Sequence, residues 1–165
     1  MNVMSIISSF VNRYNEEKFW KMYFNCQNNK AKGIKRFFYI YRIKRIQAIH
    51  GSDFMVIFNK NRNFGAYFAN KPRLPHGLKG IIISDQAKIG KNAVIFQQVT
   101  IGIKEFGGKA PTIKDNVFIG AGAKILGDIV IGNNVKIGAN AVVLDDVPDN
   151  CTVGGVPAKI ISSES

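Results

Sequence analysis

Cysteine, histidine and long apolar runs are all scarce in this 165-residue sequence. The two cysteines, Cys26 and Cys151, are too few for a disulfide framework or a cysteine-rich zinc module. The longest uncharged apolar run, Phe54–Phe58, is far shorter than the roughly 20 residues that cross a membrane. The N-terminus lacks a basic start and a small-residue cleavage site, so we expect no signal peptide and a cytoplasmic protein. An apolar fraction of 46% still suffices for a core and excludes a wholly disordered chain.

Acidic residues are scarce in one half of the sequence. Residues 1–80 contain 15 Lys and Arg but 3 Asp and Glu, whereas residues 81–165 contain 8 of each class. The net charge of +12 therefore lies in the first half. This asymmetry predicts a basic, mainly helical segment over residues 1–70, a distinct domain over residues 71–157 and a tail over residues 158–165. No nucleic-acid-binding motif accompanies the charge, so we do not expect nucleic acid as a partner.

The second half of the sequence repeats with a period of six. An aliphatic residue recurs in one phase of this period, and a small or β-branched residue often follows four positions later. An amphipathic helix would repeat near 3.6 residues and a single strand near 2, so the period predicts a parallel β-helix whose aliphatic residues stack inward. The residues in the aliphatic phase are Ile83, Ile89, Ile95, Ile101, Ile113, Ile119, Ile125, Ile131, Ile137 and Val143.

The backbone of such a coil must turn sharply at each corner. In this sequence the six-residue period is also interrupted once. Asparagine and glycine suit the corners because they adopt the sharp backbone turn at little cost. The candidate corner asparagines are Asn92, Asn116, Asn134 and Asn140. The period breaks once, which predicts a loop over residues 103–112 that leaves the coil. Such a loop is either a functional element on a rigid scaffold or a decorative insertion.

Three segments carry a resemblance to a known family. IFQQVTIG (95–102), the repeats over residues 110–148 and GGVPAKI (154–160) resemble the hexapeptide-repeat acyltransferases. They are most similar to the branch that contains serine acetyltransferases and the O-acetyltransferases of capsule and O-antigen sugars, and the similarity covers residues 72–161. The resemblance implies a left-handed parallel β-helix and a homotrimer with sites between subunits. It also implies acetyl transfer from acetyl-CoA to a hydroxyl group without a metal.

The resemblance assigns a general base to this chain. The family's catalytic histidine matches His76 in PHGLKGIIISDQAKIG (75–90), and imidazole titrates near neutral pH. A surface histidine in a turn is the alternative interpretation. The family pairs its base with a carboxylate fifteen residues upstream, but Asn61 occupies that position here. Asp53, in HGSDF (50–54), is the remaining candidate partner, unless it is a turn-forming aspartate.

The resemblance also places acetyl-CoA along the coils, held by backbone amides at small corner residues. The same residues could instead serve only to make tight corners. The matching residues are Gly102, Gly120, Ala121 and Ala139, with Lys159 as the first candidate for a contact to the CoA phosphates, ahead of Lys136 and Lys124.

The N-terminal half reads as two helices, over residues 15–28 and 31–49. In the second helix Ile34, Phe37 and Tyr41 share a face with Phe38, while other apolar residues point elsewhere, which indicates packing against the coil or a sister subunit. Its basic residues form either a solvated face or a contact with an anionic membrane surface or an anionic lipid-linked glycan.

The acceptor expected from the sequence is a carbohydrate hydroxyl of a surface polysaccharide. The expectation depends on Ala110, which stands where serine acetyltransferases carry a second histidine, and on the short N-terminal segment. Serine O-acetylation in cysteine biosynthesis is the first alternative, and a catalytically inactive trimeric scaffold is the second.

Overall fold

The computed structural model describes residues 15–54 and 65–163. Two helices open the described chain, α1 (Glu16–Gln27) and α2 (Gly33–Ile49). The Asn15 side chain caps α1 by accepting a hydrogen bond of 2.8 Å from the Lys18 N–H. Both helices lie where the sequence predicts them. No helix in the described ranges is long and apolar enough to cross a membrane.

Short strands, parallel except for the last, form most of the remaining described chain. The strands are β1 (Tyr67–Phe68), β2 (Ile82–Ile83), β3 (Lys88–Ile89), β4 (Val94–Ile95), β5 (Thr100–Gly102), β6 (Thr112–Ile113), β7 (Phe118–Ile119), β8 (Lys124–Leu126), β9 (Val130–Ile131), β10 (Lys136–Ile137), β11 (Val142–Val143), β12 (Cys151–Gly155) and β13 (Ala158–Ser163). Successive strands pass in turn through three sheets, which we call sheet 1 (β2, β5, β8, β11), sheet 2 (β1, β3, β6, β9) and sheet 3 (β4, β7, β10, β12, β13).

The predicted aliphatic phase forms the core of the coil. In sheet 1, for example, Ile83 pairs in register with Ile101, which pairs with Ile125. All ten aliphatic residues of the phase are at most 2% exposed. Because no single coil can bury its face alone, this stacking across coils supplies the hydrophobic stabilisation. The three parallel sheets confirm the β-helix prediction and fit its left-handed form.

A ladder of asparagines marks the corner between sheets 2 and 3. Asn92, Asn116, Asn134 and Asn150 all have φ between 57° and 61°, in the left-handed region that asparagine tolerates better than most residues. The side-chain amide of each of the first three donates to the Oδ1 of the next, over 2.8 to 3.0 Å. The predicted corner residue Asn140 has the same backbone conformation, at a different corner.

The coil extends beyond both ends of the domain expected over residues 71–157. At its beginning, β1 lies on sheet 2, and Asp53 forms an isolated bridge with Ile82 of sheet 1. At its end, β13 (Ala158–Ser163) folds back antiparallel on β12, where the sequence suggests a tail. This hairpin gives the last coil a paired edge instead of an open one.

Helix α1 closes the N-terminal end of the coil with aromatic side chains. Trp20 and Tyr23 contact Phe68 of the first coil at ring distances of 5.0 and 5.6 Å, and both also contact Phe54. The buried Tyr23 hydroxyl donates a 2.7 Å hydrogen bond to the Ala66 carbonyl. The helix therefore acts as the cap that a solenoid needs over its apolar end.

Candidate active site

His76 lies in an enlarged corner between sheets 3 and 1. Nine positions separate the buried Leu74 from the buried Ile83, whereas six separate most inward residues. The extra residues form a turn in which Gly77 donates a 3.0 Å hydrogen bond to the Leu74 carbonyl. The φ of Gly77 is +65° and that of Gly80 is +63°, a left-handed conformation that glycine adopts at little cost. The enlarged corner leaves His76 exposed to solvent.

The His76 ring packs on an aromatic side chain of the neighbouring coil. Its centroid lies 5.6 Å from that of Phe96, and Phe96 lies 5.2 Å from Phe118 of the coil beyond. Phe96 is not among the site residues predicted from the sequence. The sequence does mark the position, because an aromatic residue follows Ile95 where glycine follows most other inward residues. The imidazole is thus supported on one side and open on the other.

Asp53 is not joined to His76 by any contact within the described ranges. Its backbone pairs with the next coil, since its N–H donates to the Ile81 carbonyl over 2.9 Å and its carbonyl accepts from Ile83 over 2.7 Å. Burial raises the pKa of the Tyr23 hydroxyl well above its usual range, and the Asp53 carboxylate raises it further. The carboxylate therefore acts electrostatically on Tyr23. Asn61 lies outside the described residues.

The two key corner glycines differ in what surrounds them. A Cβ added to Gly120 would lie 2.6 Å from the Ala139 nitrogen, so the packing between coils requires glycine there. A Cβ added to Gly102 would meet no atom within 4 Å. Gly102 ends β5, where residues 103–111 leave the coil. The chain's own packing thus explains Gly120 and leaves open space beside Gly102.

The remaining predicted cofactor residues lie along the coil surface. Ala121 is half-buried and Ala139 exposed, and the Ala121 carbonyl accepts a 2.8 Å hydrogen bond from the Asn140 N–H of the next coil. Lys124 donates a 2.8 Å hydrogen bond to the Gln98 carbonyl. Lys159 is exposed on β13, and Lys136 is exposed on β10. The exposed Lys159 can reach an anionic ligand, while the Lys124 ammonium donates across the corner.

The loop over residues 103–111 combines an exposed tip with a buried base. Phe106, at its tip, is fully exposed, whereas Ala110 is 7% exposed and packs with the core. Lys109 forms a 2.8 Å ion pair with Asp128, and this hydrogen-bonded pairing raises the pKa of the Lys109 ammonium. The base of the loop is thus held on the coil, and an apolar side chain is presented to solvent.

Two depressions on the described surface lie away from His76. The larger, of about 320 Å³, is on sheet 2 between Tyr67, Lys88 and Thr112. The second, of about 220 Å³, lies between Gln27 and Asp85. Because His76 is exposed on the single chain, a ligand beside it would need a second surface to be enclosed.

Cysteine chemistry does not fit this site. Cys26 and Cys151 are both buried, and burial raises the pKa of the Cys26 thiol, which disfavours the reactive thiolate.

Within residues 15–54 and 65–163, no group of three His, Cys, Asp or Glu side chains is arranged to hold a metal ion.

Known proteins are similar to this chain along the coil. Residues 110–145 match the family described as bacterial transferase hexapeptide (six repeats). The serine acetyltransferase of Bacillus subtilis (strain 168) is 46% identical over 99 residues, which are 59% of this chain and 45% of that protein. The chain thus spans less than half the length of this relative.

Solved structures give the same likeness. The serine acetyltransferase of Neisseria gonorrhoeae in complex with serine superposes with a TM-score of 0.63 at 37% identity, covering 77% of this chain and 49% of that one. The serine acetyltransferase of Brucella abortus strain S19 in complex with coenzyme A superposes with a TM-score of 0.67 at 34% identity, covering 79% and 50%. These neighbours support the predicted resemblance.

Proposed function

We propose that the protein is an acetyl-CoA-dependent O-acetyltransferase of the hexapeptide-repeat superfamily, because residues 110–145 match the family model and the coil is similar to serine acetyltransferases. The observation that carries the proposal is the exposed His76, placed in an enlarged corner and packed on Phe96. Most inward residues follow one another at six positions, so the nine-residue step at His76 is a departure from the repeat that the stacking of the coil does not require. The CoA-bound structure of a similar protein supports acetyl-CoA as the donor.

In the proposed reaction His76 is the general base. The neutral imidazole takes the proton from the acceptor hydroxyl, and the acceptor oxygen attacks the carbonyl carbon of the thioester. Backbone N–H groups stabilise the negative charge that develops on the carbonyl oxygen. The carbon–sulfur bond then breaks, and the imidazolium returns the proton to the departing CoA sulfur. Such assistance contributes about 10²- to 10⁴-fold to the rate.

The space beside Gly102 fits a narrow ligand that runs along the coil. We assign the pantetheine arm to the surface formed by Gly102, Gly120 and Ala121 together with Ala139, where small side chains expose the backbone amides. Lys159 is assigned to the CoA phosphates, since an ammonium group on an exposed strand can pair with them. Asp53 remains a proposal as the partner of His76.

A neighbouring subunit would enclose this open site. His76 is exposed on a single chain, and Phe106 in the loop over residues 103–111 is fully exposed. We therefore propose a homotrimer with each site between two subunits. The reaction is assigned to the cytoplasm, where acetyl-CoA is available.

L-serine is the acceptor that the comparisons favour, and it replaces the carbohydrate expected from the sequence as the first candidate. The support is the likeness to serine acetyltransferases, one of them in complex with serine. A carbohydrate hydroxyl remains the second candidate, favoured by Ala110, whose methyl group cannot bind the charged groups of an amino acid. An inactive scaffold is the third, because no contact joins the Asp53 carboxylate to His76 within the described ranges.

Thiol release from acetyl-CoA tests the proposal. The full chain is assayed with L-serine and with a panel of free sugars and nucleotide sugars. Release with serine alone supports serine acetyltransferase activity, and release with sugars alone supports the second candidate. If no acceptor promotes release, calorimetry with acetyl-CoA decides: an absence of binding contradicts the proposed enzyme and supports the scaffold.

A further inference from the structure

We propose that the outward face of α2 binds the anionic lipid headgroups of a membrane surface. This face is defined by Ile34, Phe37, Phe38 and Tyr41, which are 77%, 56%, 56% and 54% exposed. At 3.6 residues per turn these four side chains fall within about 100° of the helix circumference. The proposal is independent of the acetyltransferase function.

Helix α2 keeps its packing to the opposite side. Ile40 and Ile43 are at most 1% exposed, and Gln47 is 2% exposed. These buried side chains hold the helix on the rest of the described chain. Large apolar and aromatic side chains in a row on a solvated helix are costly to hydrate, and such a row marks an interaction surface.

Basic side chains surround the outward face. Lys35 and Arg42 lie along one edge of it on the helical projection, and Arg45 lies within it; all three are exposed. The sequence from Lys18 to Ser52 contains nine Lys and Arg and no Asp or Glu. An aromatic strip bordered by cations is the arrangement by which an interfacial helix inserts apolar groups between lipids while its charges pair with phosphates.

Charge decides between the candidate occupants. A second copy of α2 would place the same cations against each other, so self-association through this face is electrostatically unfavourable. An anionic membrane can bind both kinds of side chain on this face. Its phosphate groups pair with the Lys and Arg side chains, and the apolar region beneath the headgroups accepts the aromatic rings. Each exposed Lys or Arg is expected to raise the affinity for such a surface about fivefold.

Vesicle co-sedimentation of the full chain tests this inference. Phosphatidylcholine vesicles are compared with vesicles that contain 30% phosphatidylglycerol, at low and high salt. We expect binding to the anionic vesicles that weakens as salt rises. Equal binding to both vesicles, or binding to neither, would overturn the proposal.

Two matched variants localise the contact. Arg42→Gln with Arg45→Gln should lower vesicle binding by about 30-fold. Lys88→Gln with Lys91→Gln removes the same charge from the exposed surface of the coil and should change binding less than twofold. Equal losses in the two variants would mean that net charge alone is responsible and would overturn the assignment to α2. Circular dichroism of each variant checks that the helices are retained.

A third variant and two further measurements exclude other occupants. Phe38→Ser with Tyr41→Ser should weaken vesicle binding while leaving all charges in place. The proposal is overturned if vesicle binding requires deletion of residues 2–14, because that segment then covers the face. It is also overturned if the Phe38→Ser, Tyr41→Ser variant loses a subunit contact in analytical ultracentrifugation while its vesicle binding is unchanged. A third contradicting result would be a single-stranded oligonucleotide that binds the protein more tightly than the anionic vesicles do at equal salt.

Discussion

The imidazole ring of His76 lies 5.6 Å from the phenyl ring of Phe96, at an interplanar angle of 54°. Phe96 follows the buried Ile95 in the next coil, and its own ring lies 5.2 Å from Phe118. The coil therefore supports the proposed base through a neighbouring side chain. This relationship links the repeat architecture to the chemistry, because the stacking that stabilises the coil also restricts the imidazole.

Replacement of Phe96 should impair turnover through His76. Phe96→Ala removes the ring that His76 packs on, so the imidazole gains freedom and we expect kcat to fall about 10- to 100-fold. Steady-state thiol release gives kcat and the KM for acetyl-CoA, which should change little. Phe118→Ala is the matched control, because Phe118 contacts Phe96 and has no ring contact with His76. Equal losses of kcat in both variants would contradict a specific role for Phe96.

Alanine at the two corner glycines should separate packing from cofactor binding. Gly120→Ala places a Cβ 2.6 Å from the Ala139 nitrogen, and such overpacking should lower the free energy of unfolding by about 1–3 kcal/mol. Gly102→Ala meets no atom within 4 Å, so we expect an unchanged unfolding midpoint and weaker acetyl-CoA binding. Chemical denaturation and calorimetry measure the two effects. Unchanged acetyl-CoA binding by Gly102→Ala would exclude the pantetheine arm from this surface.

The asparagine ladder should contribute measurably to stability. Asn116 has a φ of 60°, accepts a hydrogen bond from Asn92 and donates one to Asn134. Asn116→Ala loses both bonds and keeps a left-handed backbone that alanine disfavours, so we expect a loss of about 2 kcal/mol in the free energy of unfolding. Asn116→Gly relieves the backbone and should lose less. Urea denaturation of both variants checks the order, and an equal loss would show that the backbone conformation is unimportant.

Acid should destabilise the C-terminal coils through Asp149. The backbone N–H and the side-chain amide of Asn133 donate to this carboxylate over 2.9 Å each, which lowers its pKa below the ordinary value of 3.8. Because the pKa is lower in the folded state, the contribution to stability is present above about pH 4 and is lost as the pH falls through the folded-state pKa. Unfolding midpoints between pH 2 and pH 6 should fall less steeply for Asp149→Asn. Parallel pH profiles would contradict the assignment.

The fold was largely predictable because a solenoid repeats one local rule. Ile83 and the nine other residues of its phase could be placed inside the coil from their spacing alone. The corner asparagines followed from the conformational tolerance of that side chain. The limits of the coil were less predictable, because the nine-residue step between Leu74 and Ile83 takes β1 out of phase with the repeat, and β13 pairs antiparallel with β12.

The candidate site was only partly predictable. His76 could be proposed from its motif, but its packing partner Phe96 comes from the next coil, and periodicity does not show which exposed side chains meet. The outward face of α2 was also recognised from the sequence, yet packing against a partner was expected for a helix that is apolar on several sides. The described structure buries Ile40 and Ile43 and leaves Phe38 exposed.

The most direct test of the central claim is the turnover of acetyl-CoA by the His76→Asn protein. It is measured as thiol release at saturating acetyl-CoA, with the acceptor that supports release by the unaltered chain. Asparagine retains a polar side chain of similar size and cannot act as the base. We predict a 10²- to 10⁴-fold fall in kcat, with acetyl-CoA affinity and the unfolding midpoint retained. Turnover within twofold of the unaltered protein would contradict the claim that His76 is the general base.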